Sequence, residues 1–250
     1  MTAPLRHEPA KTYNRYFRPG TRRCAFFIHG LGGNNTAQYW GRLIDLLPYD
    51  DDLVSSDFCF WGYKSSRYGA WPKLTQLSTS ERLATIPDLA MTLRSDVERI
   101  VKEHNYSSIL LFGHSLGGLL SLECCSQMRR STQRDVVKSV CLNATPLKPN
   151  LLARVATSLF QDFNPQTQYL ADLGQIETTL KTVATLRKRC DVTYIYCAND
   201  WLLQSYEKFG FTKTEGIQAP HTWMQSVKNR DDTNYKIISA YLKNALFMSA

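Results

Sequence analysis

A five-residue motif in the middle of the chain constrains the fold most strongly, because residues 113–117 read Gly-His-Ser-Leu-Gly. An apolar run at residues 109–112 precedes the motif, and residues 118–120 continue it as Gly-Leu-Leu. This order is typical of a nucleophile elbow, in which a strand ends in a sharp turn at a serine and a helix follows directly. A side chain at either flanking glycine would collide with a neighbouring strand or helix, because the turn is tight there. The motif therefore predicts that the Ser115 hydroxyl projects above the end of a sheet.

Further strand and helix patterns surround the motif. We predict strands at short apolar or aromatic runs, which are residues 24–28, 54–63, 108–112, 136–142 and 192–197. Apolar spacing near 3.6 predicts helices at residues 40–47, 80–104, 116–128 and 235–247. Strands that alternate with helices imply an α/β fold with a mostly parallel sheet flanked by helices. We expect one domain over residues 1–250, with a helical cap inserted at residues 150–189.

Composition narrows the class of protein. The chain is 43% hydrophobic and 21% charged, as in an ordinary globular protein, and it has no apolar stretch of about 18 residues that predicts a membrane span. The start of the chain lacks the apolar segment of a secretory signal, and the seven cysteines lie mostly in apolar surroundings. We therefore expect a cytoplasmic protein with reduced core thiols. No cysteine or histidine spacing is typical of a zinc site, so no metal is expected.

The formal charge of +8 raises the question of an anionic partner. No aromatic residues interleave with the basic clusters, as binding of single-stranded nucleic acid would require. A solvated basic surface is the favoured interpretation, and we expect no nucleic-acid partner. Weak peripheral contact with an anionic membrane is a lesser expectation from the same charge.

A serine hydroxyl is a weak nucleophile at neutral pH, so Ser115 needs a base and an acid that orients the base. Only His221 follows Ser115 among the histidines, and we predict that it is the base. Asp200 stands where the acid is expected, after the strand before the His221 loop. The alternative interpretation of Asp200 is a turn or helix-cap residue. Rival acids lie in the predicted cap, at the opposite end of a strand, or without a strand directly before them, and they are Asp162, Asp172, Asp191, Glu207 and Glu215.

The oxyanion that forms when a serine attacks a carbonyl group needs preorganised N–H donors, each worth roughly 2.7–4 kcal/mol of barrier. The Leu116 N–H is one candidate, because Leu116 follows the serine directly. The other is the Leu31 N–H, in the loop His-Gly-Leu-Gly-Gly at residues 29–33 after an early strand. We interpret His29 as a structural residue of this loop, which lacks the spacing of a phosphate-binding loop. His114, inside the elbow, is interpreted as a side chain packed beside the sheet.

The motifs resemble those of α/β-hydrolase serine esterases, especially the lipase-like serine esterases related to the GPI inositol deacylases. The resemblance covers most of the chain from Arg23 and rests on residues 27–33, 113–120, 143–147 and 220–222 and on Tyr235. It implies hydrolysis of carboxylic esters, on a small-molecule, lipid or other acyl substrate, without a metal or cofactor. The chain departs from the family at residues 143–146, which read Asn-Ala-Thr-Pro where Gly-Thr-Pro is common.

Other functions remain open at the level of sequence. The same triad would serve a thioesterase or an acyltransferase. A hydrolase fold without catalysis, used as a binding module, is a candidate from a different class. The ordered set of elbow, acid, base and oxyanion loop argues against that candidate, because a scaffold needs none of these groups in this order.

Overall fold

The computed structural model describes residues 3–63, 85–146, 178, 181–197, 211–217, 221, 224 and 227–247. Within these residues, eight strands form one sheet: β1 (Arg6–Pro9), β2 (Tyr13–Phe17), β3 (Arg23–Ile28), β4 (Asp57–Trp61), β5 (Ser108–His114), β6 (Val137–Asn143), β7 (Asp191–Cys197) and β8 (Lys213–Ile217). Their order in the sheet is β1-β2-β4-β3-β5-β6-β7-β8. All pairs from β4 to β8 are parallel, and β1 and β2 join the sheet antiparallel. The predicted α/β fold with a mostly parallel sheet is confirmed.

Helices cover both faces of the sheet. The described helices are α1 (Ala37–Trp40), α2 (Leu43–Leu46), α3 (Ile86–His104), α4 (Leu116–Gln127), α5 (Val183–Leu186) and α6 (Thr233–Phe247). Buried side chains of α3, α4 and α5 form one apolar core with the sheet. Those of α1, α2 and α6 form a second core. Strands that are buried on both faces explain the continuous apolar runs of the sequence.

The predicted helix over residues 40–47 differs from the structure. Gly41 ends α1 with a φ of +56°, so the chain forms two short helices instead of one. Single turns of 3₁₀-helix follow at Leu47–Tyr49 and Asp51–Leu53, and β4 begins only at Asp57. The apolar spacing identified the buried face, but it could not locate the break that the glycine introduces.

The hairpin of β1 and β2 and the edge strand β8 have no counterpart in the sequence prediction. Charged and polar residues interrupt the apolar residues in all three sequences, so none has a continuous apolar run. Arg15 of β2 is only 1% exposed, although it carries a charge. Its guanidinium group pairs with the Glu8 carboxylate and lies 4.2 Å from the ring centre of Phe17.

Several predictions concern residues outside the described part of the chain. Within the predicted cap, residues 178 and 181–189 are described and include α5, and the remaining cap residues lie outside, as does Asp200. All seven cysteines are buried and free, so the prediction of core thiols is confirmed. Among the described helices, none combines the length and the apolar character that crossing a membrane requires.

Candidate active site

Ser115 forms the junction between β5, which ends at His114, and α4, which begins at Leu116. Its backbone has a φ of +53° and a ψ of −121°, a conformation that residues with a side chain rarely adopt. The turn is anchored from the next strand, because the Ser115 N–H donates to the Asn143 carbonyl oxygen at 2.8 Å. A strained residue persists only where the surrounding structure holds it in place.

The glycines of the elbow have the steric role predicted from sequence. A Cβ atom on Gly117 would lie 2.1 Å from the Ile28 carbonyl oxygen. A Cβ atom on Gly113 would lie 2.4 Å from the Gly117 carbonyl oxygen. Both distances are far below van der Waals contact. The first turn of α4 therefore rests directly on the end of β3, which is where the glycine-rich loop begins.

That loop touches the serine. A Cβ atom on Gly30 would lie 2.8 Å from the Ser115 Cβ atom, so only a glycine allows this approach. The Gly30 carbonyl oxygen accepts hydrogen bonds from His29 Nδ1 at 2.7 Å and from the Gly33 N–H at 3.2 Å. In a trans peptide unit the C=O and the next N–H point in opposite directions. The two bonds to Gly30 therefore also fix the direction of the Leu31 N–H.

His29 is a structural residue of the loop, as predicted. Its Nε2 atom accepts a hydrogen bond from the Tyr63 N–H at 3.1 Å, and the two rings stack at 4.2 Å. Because Nε2 accepts, the proton of the neutral ring lies on Nδ1, which donates to Gly30. Burial lowers the pKa of His29 from 6.5 to about 4. The ring is therefore neutral at physiological pH.

The second predicted oxyanion donor, the Leu116 N–H, is the first of α4. The N–H groups of a first helical turn have no acceptor within their own helix, and they lie at the positive end of the helix dipole. The side chains of Leu116 and Leu31 are both buried in the same apolar core. The structure thus brings both predicted donors to segments that contact or adjoin Ser115.

His221 lies beside the elbow. Its carbonyl oxygen accepts a hydrogen bond from His114 Nε2 at 2.9 Å, and the two imidazole ring centres are 5.0 Å apart. Met224 anchors the same segment, since its sulfur accepts from Asn143 Nδ2 at 3.5 Å. The Ser115 hydroxyl is buried and makes no hydrogen bond with the described residues. The bond between nucleophile and base that the sequence predicts is thus not formed, which is common in ligand-free sites.

Asp200 follows β7, which ends at Cys197, but it lies outside the described residues. Strand β7 pairs with β6, and β6 pairs with β5 in the same direction. The carboxyl ends of these strands therefore meet at the edge of the sheet where Ser115 stands.

Within the described residues, no three His, Cys, Asp or Glu side chains are grouped so that they could hold a metal ion.

His114 and Tyr39 are the site residues that sequence reasoning missed. His114 is buried, as expected, but it does more than pack beside the sheet. Its Nδ1 atom is hydrogen-bonded to the Tyr39 hydroxyl, which also accepts from the Gly30 N–H at 2.8 Å. Tyr39 and His114 are 75 positions apart. No spacing rule in the sequence links them, and the glycine-rich loop next to Tyr39 was the nearest signal.

The Asn-Ala-Thr-Pro segment at residues 143–146 has an unusual backbone conformation. Ala144 adopts a φ of +47°, in the left-handed region that favours glycine. The Ala144 N–H donates to the Ile195 carbonyl oxygen at 2.8 Å, which ties the turn to β7. The chain thus keeps the backbone shape that a glycine would adopt there, at the cost of local strain.

Comparisons with known proteins agree with this architecture. A family model described as alpha/beta hydrolase fold matches residues 26–223. An esterase from Pyrococcus furiosus has 12% sequence identity and a TM-score of 0.63, with 98% of this chain and 92% of that chain covered. A peroxisomal alpha/beta-hydrolase from Saccharomyces cerevisiae has 14% identity and a TM-score of 0.61, with 99% and 86% covered.

A soluble variant of monoglyceride lipase from Saccharomyces cerevisiae, solved with a substrate analogue, is 15% identical with a TM-score of 0.57. The alignment covers 100% of this chain and 96% of that one. None of the curated protein sequences compared with this chain matched it. At such identities, the likeness to the solved structures concerns the fold.

Proposed function

The chain belongs to the alpha/beta hydrolase fold family, and from this membership we propose that it is a serine hydrolase that cleaves carboxylic esters. Ser115 is the nucleophile, His221 the base, and Asp200 the acid that orients the base. The observation that carries the proposal is the Ser115 backbone, with a φ of +53° between a buried strand and a helix. Such strain costs about 1–3 kcal/mol and is concentrated at functional sites.

The first half of the reaction forms an acyl-enzyme. Ser115 Oγ attacks the carbonyl carbon of the ester while His221 Nε2 accepts the hydroxyl proton. The carbonyl electron pair moves onto oxygen and produces a tetrahedral oxyanion. When this intermediate collapses, the bond to the alcohol breaks, and the alcohol leaves with the proton from His221. The acyl group remains on Ser115.

The second half regenerates the enzyme. His221 takes a proton from a water molecule, whose oxygen attacks the acyl carbon and forms a second oxyanion. Collapse releases the carboxylic acid and returns the proton to Ser115 Oγ. Asp200 accepts a hydrogen bond from the other ring nitrogen of His221 and stabilises the imidazolium in both halves. The position of Asp200 soon after β7 supports this role.

Both oxyanions require donors that are already in place. The proposed donors are the Leu116 N–H, at the start of α4, and the Leu31 N–H. The contact of Gly30 with Ser115 supports the second assignment, as do the two hydrogen bonds to the Gly30 carbonyl oxygen. Removing one such donor costs an enzyme of this kind roughly 2.7–4 kcal/mol of barrier.

We propose acyl esters, including those of lipids, as the substrate class. The motif resemblance to lipase-like esterases related to the GPI inositol deacylases supports this choice, as do the names of the esterase and lipase among similar structures.

A formal charge of +8 is compatible with weak contact at an anionic membrane surface. Seven free, buried thiols support the proposal of a reducing, cytoplasmic compartment.

A fluorophosphonate probe tests the proposed function directly. The folded wild-type protein should be labelled at one serine, and Ser115→Ala should abolish the labelling. Ser139→Ala is the matched control, because Ser139 is also buried but bonds the Tyr241 hydroxyl at 3.0 Å, away from the elbow. Absence of labelling in the wild type, or labelling that survives Ser115→Ala, contradicts the proposal.

Substrate tests separate the related activities that use the same triad. Turnover should be measured on p-nitrophenyl esters of increasing chain length and on matched thioesters, with and without an alcohol acceptor. A carboxylic ester hydrolase releases free acid from the oxygen esters whether or not the acceptor is present. Preference for thioesters identifies a thioesterase, and transfer to the alcohol identifies an acyltransferase.

A further inference from the structure

One continuous series of hydrogen bonds links the His221 backbone, His114, Tyr39 and Gly30. The His221 carbonyl oxygen can only accept, so His114 Nε2 must carry the proton of the 2.9 Å bond between them. In a neutral ring, Nδ1 of His114 is then an acceptor, and the Tyr39 hydroxyl donates to it. The Tyr39 oxygen accepts in turn from the Gly30 N–H at 2.8 Å. The donor and the acceptor of each of these three hydrogen bonds are thus assigned.

His114 and Tyr39, the two titratable side chains in this series of hydrogen bonds, both stay neutral near neutral pH. His114 is only 2% exposed, and its pKa lies well below 6.5, chiefly because of burial and then because of the nearby His221 and His29 rings. Burial also raises the pKa of the Tyr39 hydroxyl above its usual value of 10.0. Both groups are therefore fixed, neutral connectors, which exchange no proton with the reaction.

Tyr39 is held so that it has little freedom to move. Its ring meets the His29 ring edge-on at 5.5 Å and the Trp40 ring at 5.2 Å. A Cβ atom on Gly33 would lie 2.6 Å from the Tyr39 ring, so the glycine-rich loop closes directly over it. The hydroxyl is consequently presented to Gly30 and His114 from a rigid base.

The two ends of the chain of bonds are the two parts of the site that must be aligned on Ser115. One end is Gly30, whose peptide unit with Leu31 supplies a proposed oxyanion donor. The other end is the backbone of His221, the proposed base. The bond between His114 and His221 joins residues 107 positions apart. This bond ties the His221 segment directly to β5, and it therefore contributes to the register of the segment against the elbow.

We propose that His114 and Tyr39 are positioning residues, which hold the oxyanion loop and the base segment in register with each other and with Ser115. The inference rests on the proposed function, because it assigns a role in the same reaction. Neither residue touches the reacting atoms. Misplacement of a reacting group by 1 Å lowers a rate by about 100-fold, so loss of either connection should be visible in turnover.

Three conservative variants break the connections separately. His114→Gln keeps a donor near the Nε2 position for the His221 carbonyl but loses the acceptor for Tyr39. His114→Asn keeps an acceptor near the Nδ1 position but loses the donor for His221. Tyr39→Phe removes the bonds to both His114 and Gly30. Activity is expressed per active site, counted by fluorophosphonate titration, so that loss of folded protein does not appear as loss of turnover.

We expect each variant to lower kcat by about 10- to 100-fold and to change KM by less than about 3-fold. The apparent pKa of the rate profile should stay at its wild-type value, since neither residue titrates. Tyr39→Phe combined with His114→Gln should be no slower than Tyr39→Phe alone, because both remove the same bond. Tyr39→Phe combined with His114→Asn should lose the product of the single effects, because different bonds are broken.

Tyr106→Phe is the matched control. Tyr106 is a buried tyrosine and Tyr39 is half-buried, and both hydroxyls are hydrogen-bonded, but the partner of Tyr106 is Asp57 at the other end of the sheet. This variant should lose stability and keep the wild-type kcat per site. Wild-type kcat in Tyr39→Phe and His114→Asn, with only their melting temperatures lowered, overturns the inference while labelling at Ser115 still supports the proposed function. If wild-type Ser115 is not labelled at all, the proposed function fails and the inference fails with it.

Discussion

Two buried polar side chains at opposite ends of the parallel sheet, Asp57 and Ser115, differ in their hydrogen bonding. At the amino end, Asp57 begins β4 and is 2% exposed. Its carboxylate accepts hydrogen bonds from the Arg18 N–H at 2.9 Å and from the Tyr106 hydroxyl. At the carboxyl end, the Ser115 hydroxyl is equally buried, but it makes no hydrogen bond with the described residues and its backbone is strained.

Burial alone therefore does not identify a functional group. A buried charge with donors around it ties adjacent strands together, and the bonds of Asp57 do this for β4 and the segment before β5. A buried hydroxyl on a strained turn stabilises nothing in the free protein. Open α/β sheets bind their ligands at the carboxyl ends of the strands, and the proposed site of this chain lies at that end.

The sharpest test of the comparison uses the two ends of a single strand. Asp191 begins β7 and is exposed, and Asp200 follows the end of the same strand. We expect Asp200→Asn to lower kcat by about 10⁴-fold, equivalent to about 5.4 kcal/mol of barrier, because the base loses its correct tautomer. Asp191→Asn should leave kcat unchanged. Steady-state kinetics on a p-nitrophenyl ester measure both, and full activity in Asp200→Asn would assign the acid to another residue.

We expect acid to lower the stability of the fold first through His29 and His114, at the carboxyl end of the sheet. The pKa of His29 is about 4 in the folded protein, against 6.5 unfolded. The unfolded chain therefore binds a proton that the folded one does not, and stability present above pH 6.5 is lost as the pH falls towards 4. The loss from His29 is about 3 kcal/mol, and the lowered pKa of His114 adds to it in the same direction.

Asp57 at the amino end has the opposite sign. Burial, only partly offset by its hydrogen bonds, raises its pKa above 3.8. Its contribution to stability therefore falls as the pH rises from 3.8 through the raised value, and it offsets part of the acid loss. Urea unfolding at pH 7 and pH 4.5 measures the balance. His29→Gln should reduce the difference between the two pH values by more than the control His104→Gln, and equal effects would contradict the assignment of the acid loss to His29.

At the amino end, Tyr106→Phe tests stability without chemistry. The variant removes the donor to a buried carboxylate, so we expect a loss of about 2 kcal/mol in the free energy of unfolding. The measurement is urea unfolding at pH 7, with kcat per site as the second readout. A large drop in kcat would show that the two ends are coupled, and the comparison would then break down.

The smallest expected effect measures the strain at the elbow itself. Both Ser115→Gly and Ser115→Ala should be inactive, but the glycine variant should be about 1 kcal/mol more stable, because glycine adopts a φ of +53° readily. The same pair of substitutions at Ser121, inside α4, should give the opposite order by about 1 kcal/mol. Thermal unfolding of the four variants decides this. The same order at both positions would show that the elbow is not strained.

Sequence patterns predicted the parts of the fold that are buried on both faces. Strands β3, β5, β6 and β7 have continuous apolar runs, and α3 and α6 have clear helical spacing, so a local rule sufficed. Sequence patterns did not predict the edge strands β1 and β8 or the neighbouring strand β2, because their charged and polar residues interrupt any apolar run. Buried Arg15 gave no apolar signal at all, since its burial depends on pairing with Glu8 across a hairpin.

The residues of the candidate site also differ in how far the sequence predicts them. Ser115, Leu116 and Leu31 stand in motifs whose residue order carries the information, and the comparisons leave their catalytic roles, like those of His221 and Asp200, as predictions. Tyr39 carries no such signal. Its proposed role depends on contacts with the nearby glycine-rich loop and with His114, which is 75 positions away and comes close only when the sheet has formed.

The hairpin of β1 and β2 has a practical consequence for the boundaries of this domain. The matched family region begins at residue 26, yet β2 covers the outer edge of β4, whose five residues are all buried. A chain trimmed to the matched region would leave β4 with unpaired backbone groups along a row of aromatic side chains. Such an edge recruits other chains. The hairpin of β1 and β2 therefore protects this edge from aggregation. Truncations and fusion tags should leave the hairpin intact.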